Sequence, residues 1–362
     1  MDVEFIGFIG FQDGSESRPP AGPPLDPAYM EAMARAHEAG GFDRVLLPVY
    51  SNAAEDLLTA VHLGTVTTRL SFMVAHRPGF TAPTLAARQF ATLDQLTGGR
   101  AAIHVITGGA DAEMQRDGDF LAKDDRYART DEFLDIVRRE WTSEAPFDYE
   151  GRFYRVKGAF SAVKPRQKPH IPIYFGGASD AAIPVAGKHA DIYALWGETL
   201  AQVREQLARV GAAAARHGRS PRFSLSLRPV LAATEEAAWK RAAEIEERTR
   251  ELRSRAGLRT EGHAPPNAGA QRLLAAAAKG ARLDKRLWTG VAALTGATGN
   301  STGLVGTPEQ VADAMMDYYD LGVTTFLIRG FDPLDDAAAY GRELIPLVRE
   351  LAARRQPTRA AG

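Results

Sequence analysis

The chain has 362 residues, with 44 basic and 45 acidic side chains and a net charge of −1. Its 45% hydrophobic and 25% charged residues are typical of a soluble globular protein, long enough for one large α/β barrel or two ordinary domains. The balanced charge gives no electrostatic basis for binding nucleic acid or a membrane surface, and the lack of cysteine excludes disulfides, thiolate nucleophiles and zinc–cysteine sites.

The amino terminus, MDVEFIGFIGFQDG, lacks the basic region that begins a signal peptide. No apolar run approaches the roughly 20 residues that a membrane-spanning helix needs. We therefore expect a cytoplasmic protein.

The first half of the chain alternates strand and helix patterns. After the strand VEFIGFIG comes FQDGSESRPPAGPPLDP, a loop long enough to suggest a function. The predicted elements that follow are a helix over 29–39, the strand RVLLPV, a helix from Glu55 and Asp56 to Leu63, the strand LSFMVA, a helix over 84–96 stopped by Gly98 and Gly99, and the strand AAIHVI. Four strand and helix units are thus predicted.

The second half continues the pattern with two interruptions. A predicted hairpin, YEGRFYRVKG, follows a helix over 125–141, and a stretch rich in Gly, Ala, Pro and Thr runs to Gly303. The other predicted elements are the strands IPIYF and DIYALW, a helix from Thr199 to near Gly218, the strand RFSLSLRPV, a helix over 235–255, a helix over 308–321 and the strand VTTFLI.

Eight apolar strands paired with helices predict a parallel (β/α)₈ TIM barrel, with a doubly wound open sheet as the alternative. We expect a single domain over 1–362, with an insertion or lid at about 235–305. Active sites of such barrels lie at the carboxyl ends of the strands. The residues at those ends are Gln12, Pro48 to Asn52, His76, Thr107, Gly176 to Ser179, Trp196, Arg228 and Arg329.

The turn Gly176-Gly177-Ala178-Ser179 follows the fifth strand. Ser179 could cap a helix and leave free N–H groups for an anion, and the glycines would let a phosphate approach the backbone. The alternative is an ordinary turn from strand to helix. Pro184 argues against a regular helix here, since a proline beyond the first turn removes a backbone hydrogen bond.

Few strand ends carry side chains, such as paired carboxylates or a nucleophile with its base, that could perform catalysis without a cofactor. The chain has no HExxH, P-loop or GxGxxG motif, and a metal site is not favoured. Gly299 to Gly303 fits GxSxG, but a flexible loop precedes it where a strand is needed, so we interpret the match as chance. Strand histidines are more often core residues, although His76, at a strand end, is better placed for function than His104. Glycine turns, an aromatic side chain and arginines favour a phosphate-bearing planar cofactor.

Long motifs in the chain resemble the bacterial luciferase-like flavin monooxygenases, and most nearly the FMNH₂-dependent alkanesulfonate monooxygenases. The similar segments are LSFMVAHRPGFTAPTLAARQFATLDQLTGGRAAIHVITG, FDYEGRFYRVKG, IPIYFGGASDAA, DIYALWGE and LVGTPEQVADAMMDYYDLGVTTFLIRGF. The resemblance implies a (β/α)₈ barrel that takes reduced FMN from a separate NAD(P)H-dependent reductase. It also implies reaction with O₂ at flavin C4a to form a (hydro)peroxide, oxygenation of a small substrate, and a homodimer or homotetramer.

The resemblance also implies roles for individual residues. The implied FMN-binding residues are Ala75, Thr107, Gly108, Tyr127, Gly176, Gly177, Ala178 and Ser179. Ala75 and Trp196 would flank the flavin ring, and Thr295 to Gly303 would be a mobile lid. The candidate catalytic residues are Trp196, Arg228, His76 and Asn52, and the candidate substrate-binding residues are Gln12, Arg228, Arg329 and Phe331.

The substrate is left open because the sulfonate-binding positions of the family have changed. They carry Ala54, Phe11 or Gln12, Ser226, Arg228, Thr295 and Phe331 in this chain. Arg228 and Arg329 could still bind an anionic, alkanesulfonate-like group, or could instead form structural salt bridges. Two further hypotheses are an F420-dependent hydride-transfer oxidoreductase and a non-catalytic flavin-binding protein.

Overall fold

The computed structural model describes residues 2–258, 265 and 267–355. Residues 259–264 and 266 of the predicted insertion lie outside the described residues, as do both ends of the predicted domain, Met1 and 356–362. None of the helices in the described ranges is long and apolar enough to cross a membrane.

Strands and helices alternate along the chain. The strands are β1 (Glu4–Phe8), β2 (Asp13–Ser15), β3 (Arg18–Ala21), β4 (Arg44–Leu47), β5 (Ser71–His76), β6 (Ala101–Ile106), β7 (Phe147–Glu150), β8 (Arg155–Ala159), β9 (Ile173–Gly176), β10 (Ile192–Trp196), β11 (Arg222–Leu227), β12 (Val230–Leu231), β13 (Arg282–Leu283), β14 (Leu287–Trp288), β15 (Gly303–Gly306) and β16 (Val323–Ile328). The helices are α1 (Pro27–Ala39), α2 (Asp56–Val66), α3 (Pro83–Leu96), α4 (Asp111–Arg116), α5 (Lys123–Thr142), α6 (Ala182–His189), α7 (Leu200–Ala215), α8 (Glu235–Arg255), α9 (Ala268–Ala277), α10 (Gly290–Thr295), α11 (Pro308–Asp320), α12 (Pro333–Ala339) and α13 (Ile345–Arg355), with a π-helical turn at Tyr340–Leu344.

Eight of these strands form a closed barrel in the order β1-β16-β11-β10-β9-β6-β5-β4. They are the eight strands predicted from the sequence, so the (β/α)₈ barrel is confirmed and the open sheet is wrong. The predicted hairpin is also present, because β7 and β8 pair antiparallel.

The described chain divides into two compact units. The first contains the described parts of Met1–Asp43, Ala194–Ala208 and Arg222–Gly362. Within it, β1 and β11 each pair in parallel with β16, which is buried throughout. Helix α11 begins with a capping box between Thr307 and Gln310, with Pro308 in its first turn.

The second unit contains Arg44–Tyr193 and Arg209–Pro221. Strands β4, β5, β6 and β9 pair in parallel in that order. Phe90 of α3 and Phe133 of α5 are completely buried. Helix α3 ends before Gly98 and Gly99, whose φ angles of 72° and 92° favour glycine and terminate the helix.

Two stretches that the sequence predicts as irregular are more ordered than expected. The long loop after β1 contains the short antiparallel pair β2 and β3. The region rich in Gly and Ala contains α9, α10, β13 and β14, and these two strands join β15 and β12 in a four-stranded sheet with the order β12-β15-β14-β13. These elements are too short to produce a clear periodic signal.

Candidate functional site

The glycine turn predicted to bind an anion lies directly after β9 in the second unit. Gly177 has φ of 148°, and a Cβ there would lie 2.7 Å from Tyr127 Oη. Tyr193 Oη donates a 2.6 Å hydrogen bond to the Gly177 carbonyl and so fixes the turn. Gly176, Ala178 and Ser179 are half-buried. The turn is therefore a constrained backbone segment that needs glycine at Gly177.

The helix after this turn begins later than the sequence suggests. It starts at Ala182, and Ser179 contributes its carbonyl oxygen, which accepts from the N–H groups of Ala182 and Ile183. The prediction of a Ser179 hydroxyl cap is therefore wrong. Pro184 falls in the first turn, where no intrahelical acceptor is required for its nitrogen. Asp180 is exposed and pairs with Arg209 at 2.6 Å.

The Ser179 hydroxyl is therefore available for another role. Its oxygen is buried and has no hydrogen-bond partner of good geometry among the residues that the structure describes. Tyr127 lies beside it. Burial raises the pKa of the Tyr127 phenol, although the nearby Ser179 hydroxyl acts in the opposite direction. Both hydroxyls consequently remain protonated and able to donate at neutral pH.

Thr107 and Gly108 lie at the carboxyl end of the neighbouring strand β6. Thr107 is buried, with its hydroxyl 3.4 Å from that of Thr130. Gly108 has φ of 96°, and a Cβ there would collide with the side chain of Met114. The structure thus brings the predicted residues Thr107, Gly108 and Tyr127 to the strand ends of the second unit.

A cavity of 560 Å³ lies at the carboxyl ends of β4 and β5, within the second unit. Three of its buried polar side chains have an atom without a hydrogen-bond partner of good geometry in the described part of the chain: Asp56 Oδ2, His76 Nε2 and Arg77 Nη1. Arg77 also forms ion pairs, with Glu113 at 2.7 Å and, through Nη1, with Asp117 at 3.9 Å. Ala54 lines the same cavity. Buried polar atoms left without partners inside a cavity are typical of a binding site.

Asp56 and His76 differ in their protonation. Burial, together with the charge of Glu55, raises the pKa of Asp56 from 3.8 to about 7. Burial lowers the pKa of His76 to about 4, and its ring stacks on Phe133 at 5.3 Å. At neutral pH His76 is therefore uncharged, whereas Asp56 is close to half-protonated and suited to proton transfer. Asp56 is not distinguished as functional in the sequence, where it has the position of an ordinary helix start.

The other candidates near this cavity differ in their exposure. Ala75 is buried in β5 and lines the cavity. Asn52 is exposed in a turn and is not among the lining residues. A catalytic role for Asn52 stays a prediction without support from its surroundings.

Replacing Asp56 by Asn is expected to reduce the pH dependence of stability. Because the folded-state pKa of about 7 exceeds the ordinary value of 3.8, the contribution of Asp56 is fully present below pH 4 and is lost as the pH rises through 7. The loss has a slope of at most about 1.4 kcal/mol per pH unit. Urea unfolding of both proteins between pH 4 and 8 measures it. The exposed Asp180→Asn serves as the control, and an unchanged slope in Asp56→Asn contradicts the assignment.

A second cavity, of 310 Å³, lies within the first unit, and Gln12, Arg228 and Arg329 all line it. Both arginines bind one carboxylate, that of Glu16. Arg228 Nη1 donates to Glu16 Oε2 at 2.5 Å, and Arg329 Nη2 donates to Glu16 Oε1 at 2.9 Å. The sequence left open whether these arginines bind an anionic substrate group or form structural salt bridges. The structure contains the salt bridge, and the anion between the two arginines is the side chain of Glu16.

Arg228 is held on several sides. Its side chain is 1% exposed, its Nη2 donates to the Gly330 carbonyl at 2.8 Å, and its guanidinium lies 3.6 Å from the centre of the Phe331 ring. Phe331 is buried and packs against Trp288. Phe331, predicted to bind substrate, thus packs against the guanidinium of Arg228. It is not among the residues that line the cavity.

Trp196 ends β10 and is half-buried. In the first unit it packs against a cluster that contains Ala270, Ala292 and Ala297. A Cβ on Gly269 would lie 3.0 Å from its ring, so that glycine permits the close approach of α9. A role for Trp196 beside a flavin ring stays a prediction.

The predicted lid, Thr295 to Gly303, is largely buried and bonded to its surroundings. Thr302 Oγ1 donates to the Gly197 carbonyl at 2.6 Å, and the Thr302 carbonyl accepts from Arg228 N at 3.0 Å. In the amide orientation that gives both of its polar atoms a partner, the Asn300 nitrogen donates a hydrogen bond to the Ser226 carbonyl and its oxygen accepts one from the Ser226 hydroxyl. Ser301 is buried and precedes a strand, so its GxSxG match lacks the geometry of a nucleophile elbow.

The sequence matches the family described as luciferase-like monooxygenase over residues 3–325. A riboflavin lyase, RcaE, solved with modified FMN and its substrate riboflavin, superposes with a TM-score of 0.82 at 22% identity, covering 97% of this chain and 92% of that chain. The EDTA monooxygenase EmoA from Chelativorans sp. BNC1 gives 0.78 at 20% identity, with 97% and 95% covered. An F420-dependent secondary alcohol dehydrogenase, in complex with an F420-acetone adduct, gives 0.70 at 16% identity, with 96% and 99% covered. At these identities the likeness establishes a shared fold.

Proposed function

The chain belongs to the luciferase-like monooxygenase family, and on that premise we propose that it is a two-component monooxygenase that uses reduced FMN and O₂ to oxygenate a small organic substrate. A separate NAD(P)H-dependent flavin reductase supplies the reduced FMN in the cytoplasm, and the chain acts as a homodimer or homotetramer. The observation that carries the proposal is the glycine turn after β9 with its buried hydroxyl donors.

The residues of this turn fit a phosphate group. Ser179 Oγ is buried and lacks a partner of good geometry in the described ranges, which is a cost unless a ligand accepts from it. Tyr127 offers a second hydroxyl that burial keeps protonated. The charge of Arg126, which is fully buried, also acts on Tyr127, although Arg126 Nη2 is paired with Asp111 at 2.8 Å. Hydroxyl donors at a glycine turn suit an FMN phosphate.

Two places in the second unit would have separate roles, namely the glycine turn after β9 and the 560 Å³ cavity. Ser179, Tyr127 and the turn would hold the phosphate, with Thr107 and Gly108 nearby. Reduced FMN, when bound, supplies the electrons that activate O₂. Asp56 would hold or release a proton at Oδ2, and the apolar Ala54 and Ala75 on the same cavity would limit its contact with water.

Binding titrations distinguish this proposal from its main alternative. We expect purified protein to bind reduced FMN under anaerobic conditions in the micromolar range, about 8 kcal/mol of binding free energy, and to bind coenzyme F420 far more weakly. Fluorescence quenching measures both ligands. Tighter binding of F420 would favour the F420-dependent oxidoreductase, whose fold the described chain also shares.

Oxygen incorporation then separates a monooxygenase from a non-catalytic flavin-binding protein. With a reductase, FMN, NAD(P)H and a panel of small substrates under ¹⁸O₂, we expect a product that carries one ¹⁸O atom, read by mass spectrometry. Tight binding of oxidised flavin with no product across the panel would support the non-catalytic alternative.

A further inference from the structure

Two arginines at neighbouring strand ends of the first unit share one carboxylate. Arg228 follows β11, Arg329 follows β16, and β11 and β16 pair directly. Glu16 reaches them from the connection between β2 and β3, 212 residues away in sequence from Arg228. Two guanidinium groups that converge on one carboxylate form an anion-binding arrangement, whatever the source of the anion.

The Glu16 carboxylate is held in its charged form. Although burial raises its pKa, the charges of Arg228 and Arg329 outweigh that effect and lower the pKa of Glu16 to about 2. Burial in turn lowers the pKa of Arg228 to about 10, against the opposing charge of Glu16. Glu16 and Arg228 therefore stay ionised at neutral pH, and the anion position is filled.

The cavity beside this cluster offers uncharged polar groups. Gln12 and Tyr29 line it, and burial, with the charge of Asp13, raises the pKa of the Tyr29 phenol, which stays protonated. Both terminal nitrogens of Arg228 already have an acceptor. The two guanidinium groups and the one carboxylate leave a net positive charge. An entering sulfonate or carboxylate would nevertheless have to compete with Glu16, which already holds a nitrogen of each arginine, and would lie next to its like charge.

We propose that Glu16 is a built-in occupant of the anion position between Arg228 and Arg329, and that the adjoining cavity accepts an uncharged polar group, such as an alcohol, carbonyl or amide, rather than a sulfonate or carboxylate. The choice of substrate class rests on the proposed monooxygenase function, whereas the occupancy by Glu16 does not. Glu16 is thus a specificity residue that takes the place of a substrate anion.

Chemical rescue tests the occupancy. Glu16→Ala leaves two guanidinium groups facing an empty position, so its melting temperature should fall and sodium acetate or methanesulfonate should restore about 5 °C in a saturable manner. Sodium chloride at equal ionic strength serves as the salt control. The wild-type protein should respond to all three salts alike, and so should Glu31→Ala, which removes an acid that pairs with the exposed Arg35.

The outcomes are decisive in both directions. Absence of an acetate-specific effect on Glu16→Ala, or an equal effect on the wild-type protein, would overturn the proposal. If Glu16→Ala does not fold, it can be refolded in acetate, and Glu16→Ser, which also empties the position, should gain the same anion response, whereas Glu16→Gln, which fills it without the charge, should not. In turnover, the wild-type enzyme should prefer an uncharged substrate, and Glu16→Ala should move that preference toward its carboxylate analogue by about tenfold. Because the melting measurements use no flavin, rescue without turnover would count against the monooxygenase function alone.

Discussion

Gly177→Asp is expected to lower the affinity for FMN by about a hundredfold, or nearly 3 kcal/mol. Two physical effects add together. The φ of 148° at Gly177 is strained for a residue with a side chain, and the new Cβ would press on Tyr127 Oη at 2.7 Å and on the Ala182 methyl at 3.0 Å. The carboxylate then repels the phosphate that we assign to this turn.

Gly177→Ala separates the two effects, since it introduces the Cβ without the charge. We expect it to weaken FMN binding by about tenfold, and Ser179→Ala, which removes one hydroxyl donor, to do so by a similar factor. Fluorescence titration of the four proteins measures the series. Equal affinities for Gly177→Ala and Gly177→Asp would mean that the phosphate binds elsewhere.

The barrel is predictable because its signals are local. Each barrel strand is a short apolar run, such as VTTFLI or AAIHVI, bounded by residues that end strands, and most helices carry a capping or stopping residue. The glycine turn could be located for the same reason, since it lies within four residues of its strand. Its details could not be: whether Ser179 caps through its hydroxyl or its carbonyl depends on where α6 begins.

The charged cluster in the first unit is not predictable in this way. The sequence identifies Arg228 and Arg329 as strand-end cations, but their partner lies more than 200 residues away, in a loop without a periodic pattern. The one available signal was an acidic residue in an unusually long loop after the first strand. Asp56 could not be predicted as functional for a different reason: its raised pKa comes chiefly from burial, which its position at a helix start does not indicate.

The glycine turn and the pair of arginines differ in how reliably a family resemblance predicts the roles of their residues. The turn at Gly177 is a backbone feature, and its requirements can be read from the residues that form it. The anion position at Arg228 depends on a balance of charges, to which one acid from elsewhere in the chain contributes. Arginines at strand ends can thus suggest an anionic substrate although a carboxylate of the protein already occupies the position between them.

Arg228→Met is expected to lower the free energy of unfolding by about 3 kcal/mol while leaving FMN affinity unchanged. Methionine preserves apolar packing on Phe331, so the loss comes chiefly from leaving Glu16 with Arg329 alone and the Gly330 carbonyl without its donor. Combining Arg228→Met with Glu16→Gln removes both charges. The double variant should therefore be more stable than the sum of the single changes predicts, by about 1–3 kcal/mol.

Urea unfolding of the four proteins gives this coupling energy directly. The matched cycle Glu31→Gln with Arg35→Met, an exposed pair at 3.0 Å, should give only about 0.5 kcal/mol, because water screens it. A coupling at Glu16 and Arg228 no larger than this would show that the two charges do not depend on each other. A fall in FMN affinity matching the fall in stability would instead assign Arg228 to the flavin site, which is the role that its salt bridge with Glu16 argues against.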